Sequence, residues 1–225
     1  MAVNLTAFNT VLSQLQPYQA QLVAVSKIKP VSDIKALYEA GQRIFGENYV
    51  QELVEKQPQL PADVQWHFIG HLQSNKVKYI APFVSMIHGV DGFKLLQEIN
   101  KQAAKHNRVI DVLLQMHIAE EESKFGLDET ELHTLLTTYS EQKASLAHVR
   151  IVGFMGMATN TDDVQQVRKE FAHLKALHTQ TKTQFFANEP SFLHISMGMS
   201  GDYQIALEEG STLVRIGSLL FGARL

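Results

Sequence analysis

Three stretches of this chain carry groups that could act on one small ligand: an amine, two sets of hydroxyls and glycines, and a guanidinium. Lys27 closes the apolar run Leu22-Val23-Ala24-Val25-Ser26-Lys27. Alternate side chains of a strand share a face, so Val23, Val25 and Lys27 point one way and Leu22, Ala24 and Ser26 the other. The amine therefore stands at a strand's carboxyl end, over an apolar floor. Burial there lowers a lysine pKa from its ordinary value of about 10.4, and a neutral amine can attack an aldehyde to form an imine. The plainer reading of the same lysine is a solvated charge. Near the other end come Ser196-Met197-Gly198-Met199-Ser200-Gly201-Asp202 and Arg215-Ile216-Gly217-Ser218. Their glycines and hydroxyls suit main chain turned toward an anion; either stretch alone also reads as an ordinary tight turn.

These groups need elements to position them. Pro30 stops the first strand, and Ser32 with Asp33 can cap a helix whose apolar face is Ile34, Leu37 and Tyr38. Before it, Leu5, Phe8, Leu12 and Leu15 recur at helical spacing and predict an N-terminal helix over 3–16. Strand-like runs at 22–27, 43–46, 65–70, 86–90, 109–117, 149–155, 194–197 and 213–216 alternate with helical stretches. The helical stretches are clearest at 92–106 and 162–179, with further ones at 49–56, 75–83, 129–139 and 203–209. Eight alternating units without a long linker predict an α/β fold, a single (β/α)8 TIM barrel over 1–225 with an extra N-terminal helix. An open doubly wound sheet would announce itself by a Gly-rich turn after the first strand, and none is present. A barrel carries its chemistry on the loops after its strands, often with phosphate held after strands seven and eight.

Composition narrows the function. At 225 residues and 45% hydrophobic, the chain can bury a full core. Its 20 basic and 23 acidic residues give a net charge of −3 with no basic block, which argues against nucleic acid or an anionic membrane as partner. The absence of cysteine excludes disulfides, thiolate metal sites and a cysteine nucleophile. With no spanning apolar run and no signal-peptide pattern at the start, a cytoplasmic protein is expected. His67 and His71 have the spacing of a helical zinc motif, but they fall in a strand pattern and no glutamate follows the first, so no metal is expected. Met155, Met157, Met197 and Met199 read as soft packing around a pocket.

A Schiff-base lysine opposite a phosphate site describes two ligands, a phosphorylated sugar aldehyde and pyridoxal phosphate. The wording of the loops favours the second. Leu22 to Lys27, Phe45-Gly46-Glu47-Asn48 with Val50-Gln51-Glu52, Trp66-His67-Phe68-Ile69-Gly70-His71-Leu72-Gln73 and Ser74-Asn75-Lys76 come first. Glu122-Ser123-Lys124 with Gly126, the run 153–158, Ser196 to Ser200, and Arg215 to Ser218 with Phe221-Gly222 follow in order. Together, from Leu22 to the last residues, these motifs closely resemble the pyridoxal phosphate homeostasis protein family, also called YggS or PROSC.

The resemblance implies the barrel also found as the N-terminal domain of alanine racemase. It implies pyridoxal 5′-phosphate as cofactor, held as an aldimine on Lys27. Ser196, Ser200, Gly217 and Ser218 then surround the phosphate, Ser218 standing where relatives often have threonine. Arg215 faces the pyridine nitrogen, and Asn48 and His71 flank the cofactor. Lys124 matches a lysine the family keeps. His194-Ile195 departs from a more apolar strand in relatives. An arginine at the ring nitrogen disfavours the proton that makes the ring a strong electron sink. The chain also stops where alanine racemase continues into the domain that supplies its second base. The expected function is therefore B6 vitamer homeostasis, holding and delivering the cofactor without substantial turnover. A pyridoxal-dependent amino-acid racemase is the first alternative and a Schiff-base aldolase on a sugar phosphate the second. Expected partners are the cofactor, amino acids and apo-enzymes that accept the cofactor; a monomer is expected.

Overall fold

In the computed structural model, which describes residues 3–121 and 125–222, every strand-like run of the sequence becomes a strand of one sheet. The order is α1 (Leu5–Leu15), β1 (Gln21–Val25), α2 (Val31–Glu39), β2 (Ile44–Glu47), α3 (Val50–Lys56), β3 (Gln65–Phe68), α4 (Val77–Ile80), β4 (Met86–Val90), α5 (Phe93–Lys105), β5 (Ile110–Gln115), α6 (Glu129–Glu141), β6 (Val149–Met155), α7 (Val164–Phe185), β7 (His194–Ser196), α8 (Tyr203–Glu208), β8 (Leu213–Ile216) and α9 (Ser218–Phe221). All pairings are parallel and the sheet closes, with β8 against β1 from Leu213 opposite Gln21 to Ile216 opposite Ala24. Closure rules out the open doubly wound sheet. The fold is a TIM barrel, and the N-terminal helix is present.

Strand alternation sorts the apolar residues into two cores. Leu22, Ala24, Phe45, Trp66, Phe68, Ile87, Val112, Leu114, Ile151, Phe154, Val214 and Ile216 face outward, into the layer beneath the helices. Val23, Met86, Leu113, Val152, Met155 and Leu213 face inward and fill the barrel. Val152 and Met155 are three apart yet share the inner face, because β6 carries one extra residue against β5: Val112 pairs with Ile151 and Leu113 with Gly153. Gly153 has φ +151°, and a Cβ there would lie 1.8 Å from the His194 carbonyl oxygen. Only glycine fits that bulge. A second irregularity lies in β4, between Ile87 and Val90.

Local details differ from the sequence reading. Helix α2 starts at Val31 with Pro30 as its N-cap, so Ser32 and Asp33 lie inside the first turn and do not cap it. Pro30 fixes the entry, its carbonyl accepting the Asp33 N–H at 3.1 Å. Helix α1 buries Phe8, Val11 and Leu15 and leaves Leu5 and Leu12 exposed, a face rotated from the expected one. Strand β1 ends at Val25, which leaves Lys27 in the turn that follows. The stretch 75–83 forms only a 3-10 turn and the single turn of α4, whereas α7 runs on to Phe185 through residues with no glycine or proline to stop it. Among the described residues, no helix is long and apolar enough to cross a membrane.

Candidate functional site

The turn after β1 is held from below by a buried ionic cluster. Ser26 donates its hydroxyl to Glu47 Oε1 at 2.6 Å. Lys56 Nζ, from α3, donates to the Ser26 carbonyl at 2.8 Å, to Glu47 Oε1 at 2.8 Å and to Glu52 Oε1 at 2.5 Å. Glu52 in turn accepts the N–H of Ile28 at 2.6 Å, at a residue held in the left-handed region with φ 59°. Burial pushes the Glu47 carboxyl above its ordinary range although Lys56 opposes the shift. Lys27 thus sits in a turn braced at both flanking residues. Lys29, two residues on, donates to the Phe221 and Gly222 carbonyls at 2.9 and 3.4 Å and ties this turn to the far end of the chain.

Arg215 comes from the inner face of β8 and is buried. Its Nη1 donates to the Ser196 carbonyl at 2.8 Å and to Ser196 Oγ at 2.6 Å, and its Nη2 to the Gly156 carbonyl at 3.1 Å. Burial lowers its pKa to about 10, with Asp202 acting the other way, so it stays cationic at neutral pH. Three of its five N–H groups are thereby committed; Nε–H and one Nη2–H have no partner among the described residues. The loop after β7 turns at Gly198, whose carbonyl accepts the Arg215 N–H at 2.9 Å, and is closed by the Met199 N–H donating to Asp202 Oδ1 at 2.6 Å.

These elements meet at the carboxyl end of the barrel around a cleft of about 280 Å³. Lys27, Asn48, Ser200, Arg215, Gly217 and Ser218 all line it, together with Val25, Lys29, Ile69, Met157, Met199, Gly201 and Gly222. Asn48 Oδ1 is buried without a hydrogen-bond partner. At Gly217 a Cβ would lie 3.2 Å from the Val25 carbonyl oxygen and 3.3 Å from the Val25 Cβ, so a side chain there would press on the end of β1. Two of the sequence-derived residues stand elsewhere. Ser196 lies under the guanidinium, its hydroxyl between Arg215 and His88 Nδ1 at 3.0 Å. His71 is outside the cleft lining, 3.5 Å from Asp91 and stacked on the Phe125 ring at 4.5 Å. Lys124 falls outside the described residues. Met157 and Met199 line the cleft while Met155 and Met197 pack in the two cores. Among the described residues no three histidine, aspartate or glutamate side chains gather as a metal site.

Sequence reasoning passed over Lys29, Lys56 and His88. His88 had a readable signal, since it is polar and two residues from inward-facing Met86 in a strand that is otherwise apolar and buried throughout. Lys56 had none, because its partners lie on other elements.

A family model described as alanine racemase, N-terminal domain, matches residues 3–225. A protein of Aquifex aeolicus (strain VF5) named pyridoxal phosphate homeostasis protein is 40% identical over 206 residues, covering 91% of this chain and 87% of that protein. The PipY protein of Synechococcus elongatus PCC7942, solved with PLP bound, superposes with a TM-score of 0.86 at 34% identity, covering 96% of this chain and 99% of that one. Alanine racemase from Bartonella henselae superposes with a TM-score of 0.73 at 18% identity over 99% of this chain and 60% of the racemase, a likeness of fold alone. The closed barrel, the motifs at its strand ends and these relatives agree that the chain belongs to the alanine racemase N-terminal domain family, as a member of its pyridoxal phosphate homeostasis proteins.

Proposed function

We propose that the protein binds pyridoxal 5′-phosphate in this cleft, bonded to Lys27, and serves B6 vitamer homeostasis by holding the cofactor and handing it to apo-enzymes. On this reading it is a cytoplasmic, monomeric, single-domain protein without substantial amino-acid turnover. The observation that carries the reading is the convergence of Lys27, Arg215 and the two Gly/Ser loops on one cleft, in a chain 40% identical to a pyridoxal phosphate homeostasis protein. The residues present fit the group. Asn48 offers a buried, unmatched carbonyl oxygen, Arg215 offers uncommitted donors, and Gly217 lets the main chain after β8 pack close to Val25 at the cleft wall. Bound pyridoxal phosphate supplies an aldehyde that condenses with an amine and a ring that withdraws electrons from it.

The chain's own residues divide the work. Lys27 is the attachment point, presented by a turn whose flanks are fixed by Glu47, Glu52 and Lys56. Ser200, Gly217 and Ser218 orient the phosphate with hydroxyls and main chain. Arg215 donates toward the ring nitrogen and, as a guanidinium with no acceptor, leaves that nitrogen unprotonated. Among the described residues, the titratable side chains lining the cleft are Lys27, Lys29 and Arg215. Racemisation needs one group to remove a proton and another to deliver it on the opposite face. Lys29 is engaged with the Phe221 and Gly222 carbonyls, which supports holding over turnover.

The test is an absorbance spectrum of purified protein loaded with the cofactor, followed by borohydride reduction and peptide mapping. The pyridoxyl label is expected on Lys27, and Lys27→Ala is expected to stay folded while losing the label. A label mainly on Lys29 or Lys76 overturns the assignment. Multiple turnovers of L- or D-alanine that disappear in Lys27→Ala overturn the holding role in favour of a racemase.

A further inference from the structure

A chain of hydrogen bonds runs from Arg215 into the barrel and is used by nothing described above. Ser196 Oγ, fully buried, accepts from Arg215 Nη1 at 2.6 Å and lies 3.0 Å from His88 Nδ1. His88 Nε2 lies 3.0 Å from His67 Nδ1. Both imidazoles are buried on the inner face of the sheet, the rings 5.0 Å apart. We propose that His88, backed by His67, is a positioning residue that acts through Ser196 to fix Arg215 as the donor to the ligand's ring nitrogen; the inference rests on the functional reading above.

The polarity of this chain follows from its first member. A guanidinium can only donate, so Ser196 Oγ must accept from it and turn its own proton elsewhere. The neighbour placed to take that proton is His88 Nδ1, which must then be unprotonated. A neutral His88 carries its proton on Nε2 and donates to His67 Nδ1, which leaves His67 protonated on Nε2. Burial holds both imidazoles below their ordinary range, His67 at about 3, so the one-proton form of each persists at neutral pH.

The arrangement has a consequence at the cleft. Every partner of the guanidinium named above is neutral: two carbonyls and one hydroxyl. A carboxylate there would compete with the ligand for the charge. The imidazole pair instead draws the Ser196 proton away and makes Oγ a better acceptor, since hydrogen bonds in series polarise one another. The Nη1 edge is thus anchored inside the barrel, and the remaining donors stay with the cleft.

The test is a ratio of affinities. Pyridoxal phosphate is compared by equilibrium dialysis with its carba analogue, in which CH replaces the ring nitrogen and removes the bond to Arg215; the change in ring electronics is common to every variant and cancels when their preferences are compared. The unsubstituted protein should prefer the nitrogen-containing ring by about tenfold or more, the order expected for one hydrogen bond to a charged donor. His88→Leu should cut that preference by about fivefold, and His88→Gln, which can still accept from Ser196 and donate to His67, should keep it within about twofold. An unchanged preference in folded His88→Leu overturns the inference. Failure of the unsubstituted protein to bind pyridoxal phosphate is a different result and overturns the functional reading with it. If His88→Leu does not fold, the ¹⁵N imidazole spectrum of the unsubstituted protein decides. Nδ1 unprotonated and Nε2 protonated on both His67 and His88 is expected, and a proton on His88 Nδ1 overturns the chain.

Discussion

Replacing Lys56 with methionine should be among the most damaging single changes outside the apolar core, although this residue does not touch the cleft. Its side chain is 8% exposed and each of its three ammonium hydrogens has an acceptor: Ser26 O, Glu47 Oε1 and Glu52 Oε1. Glu47 is fully buried, and its second oxygen has no partner. Methionine fills a similar volume, so packing is nearly conserved and the effect isolates the charge. Removing one member of a buried pair costs roughly 3 to 5 kcal/mol, because the other charge stays buried and unpaired. For a chain of this size that lowers Tm by about 6 to 20 °C, at roughly 2 to 4 °C per kcal/mol. Glu47→Gln in the same chain removes the stranded charge and keeps an acceptor for Ser26, so the double variant should recover about 1 to 3 kcal/mol. Urea unfolding followed by circular dichroism measures both, and dialysis of pyridoxal phosphate reads the coupled effect on the Lys27 turn, which should bind more weakly as the Ser26 and Ile28 anchors loosen. Lys56→Met within about 1 kcal/mol of the parent, or a double variant no more stable than the single, refutes the reasoning, since only exposed pairs are that dispensable.

Acid should unfold the protein steeply. His67 is held at about 3 by burial and then by the charge on His194, His178 at about 4 by burial and then by Lys175 and Lys182, and His88 well below its ordinary value by burial, His67 and Arg215. The unfolded chain takes up these protons below about pH 6.5 and the folded chain does not, so their contribution is complete above that pH and is lost as pH falls toward 4. Each group contributes up to about 1.4 kcal/mol per pH unit. His194, lowered by burial, adds to them, and Glu47, pushed up by burial, acts in the opposite sense. Urea midpoints at pH 7, 6 and 5 measure this slope, and a flat profile contradicts the buried neutral imidazoles. At the cleft, Ser200→Ala and Ser218→Ala should each weaken pyridoxal phosphate by about 1 to 3 kcal/mol, and pyridoxal without its phosphate should bind far more weakly. Equal titration curves for pyridoxal and its phosphate would remove the phosphate from the loops after β7 and β8.

The strands, their succession along the chain and the two faces of the first were legible in the sequence because they are local properties. A period of two in Leu22 to Ser26 and an apolar run in Met86 to Val90 survive in any arrangement that buries one face or both. Lys27, Ser200, Arg215, Gly217 and Ser218 were likewise marked by residue type at strand ends, where a barrel keeps its chemistry. Folding decided what these residues touch. Closure of β8 on β1 brings Arg215 and Lys27 to one cleft from opposite ends of the chain. The extra residue in β6 reverses the alternation after Val152, which no period of two can signal. Ser196 is expected beside the phosphate at the end of the seventh strand, yet it is an interior link to a histidine 108 residues away. Lys56 closes the helical stretch 49–56 in the sequence and is the buried brace of the Lys27 turn. A buried polar group is stabilised by partners from other strands and helices, and their identity is set by register and closure, which leave no periodic trace along the chain.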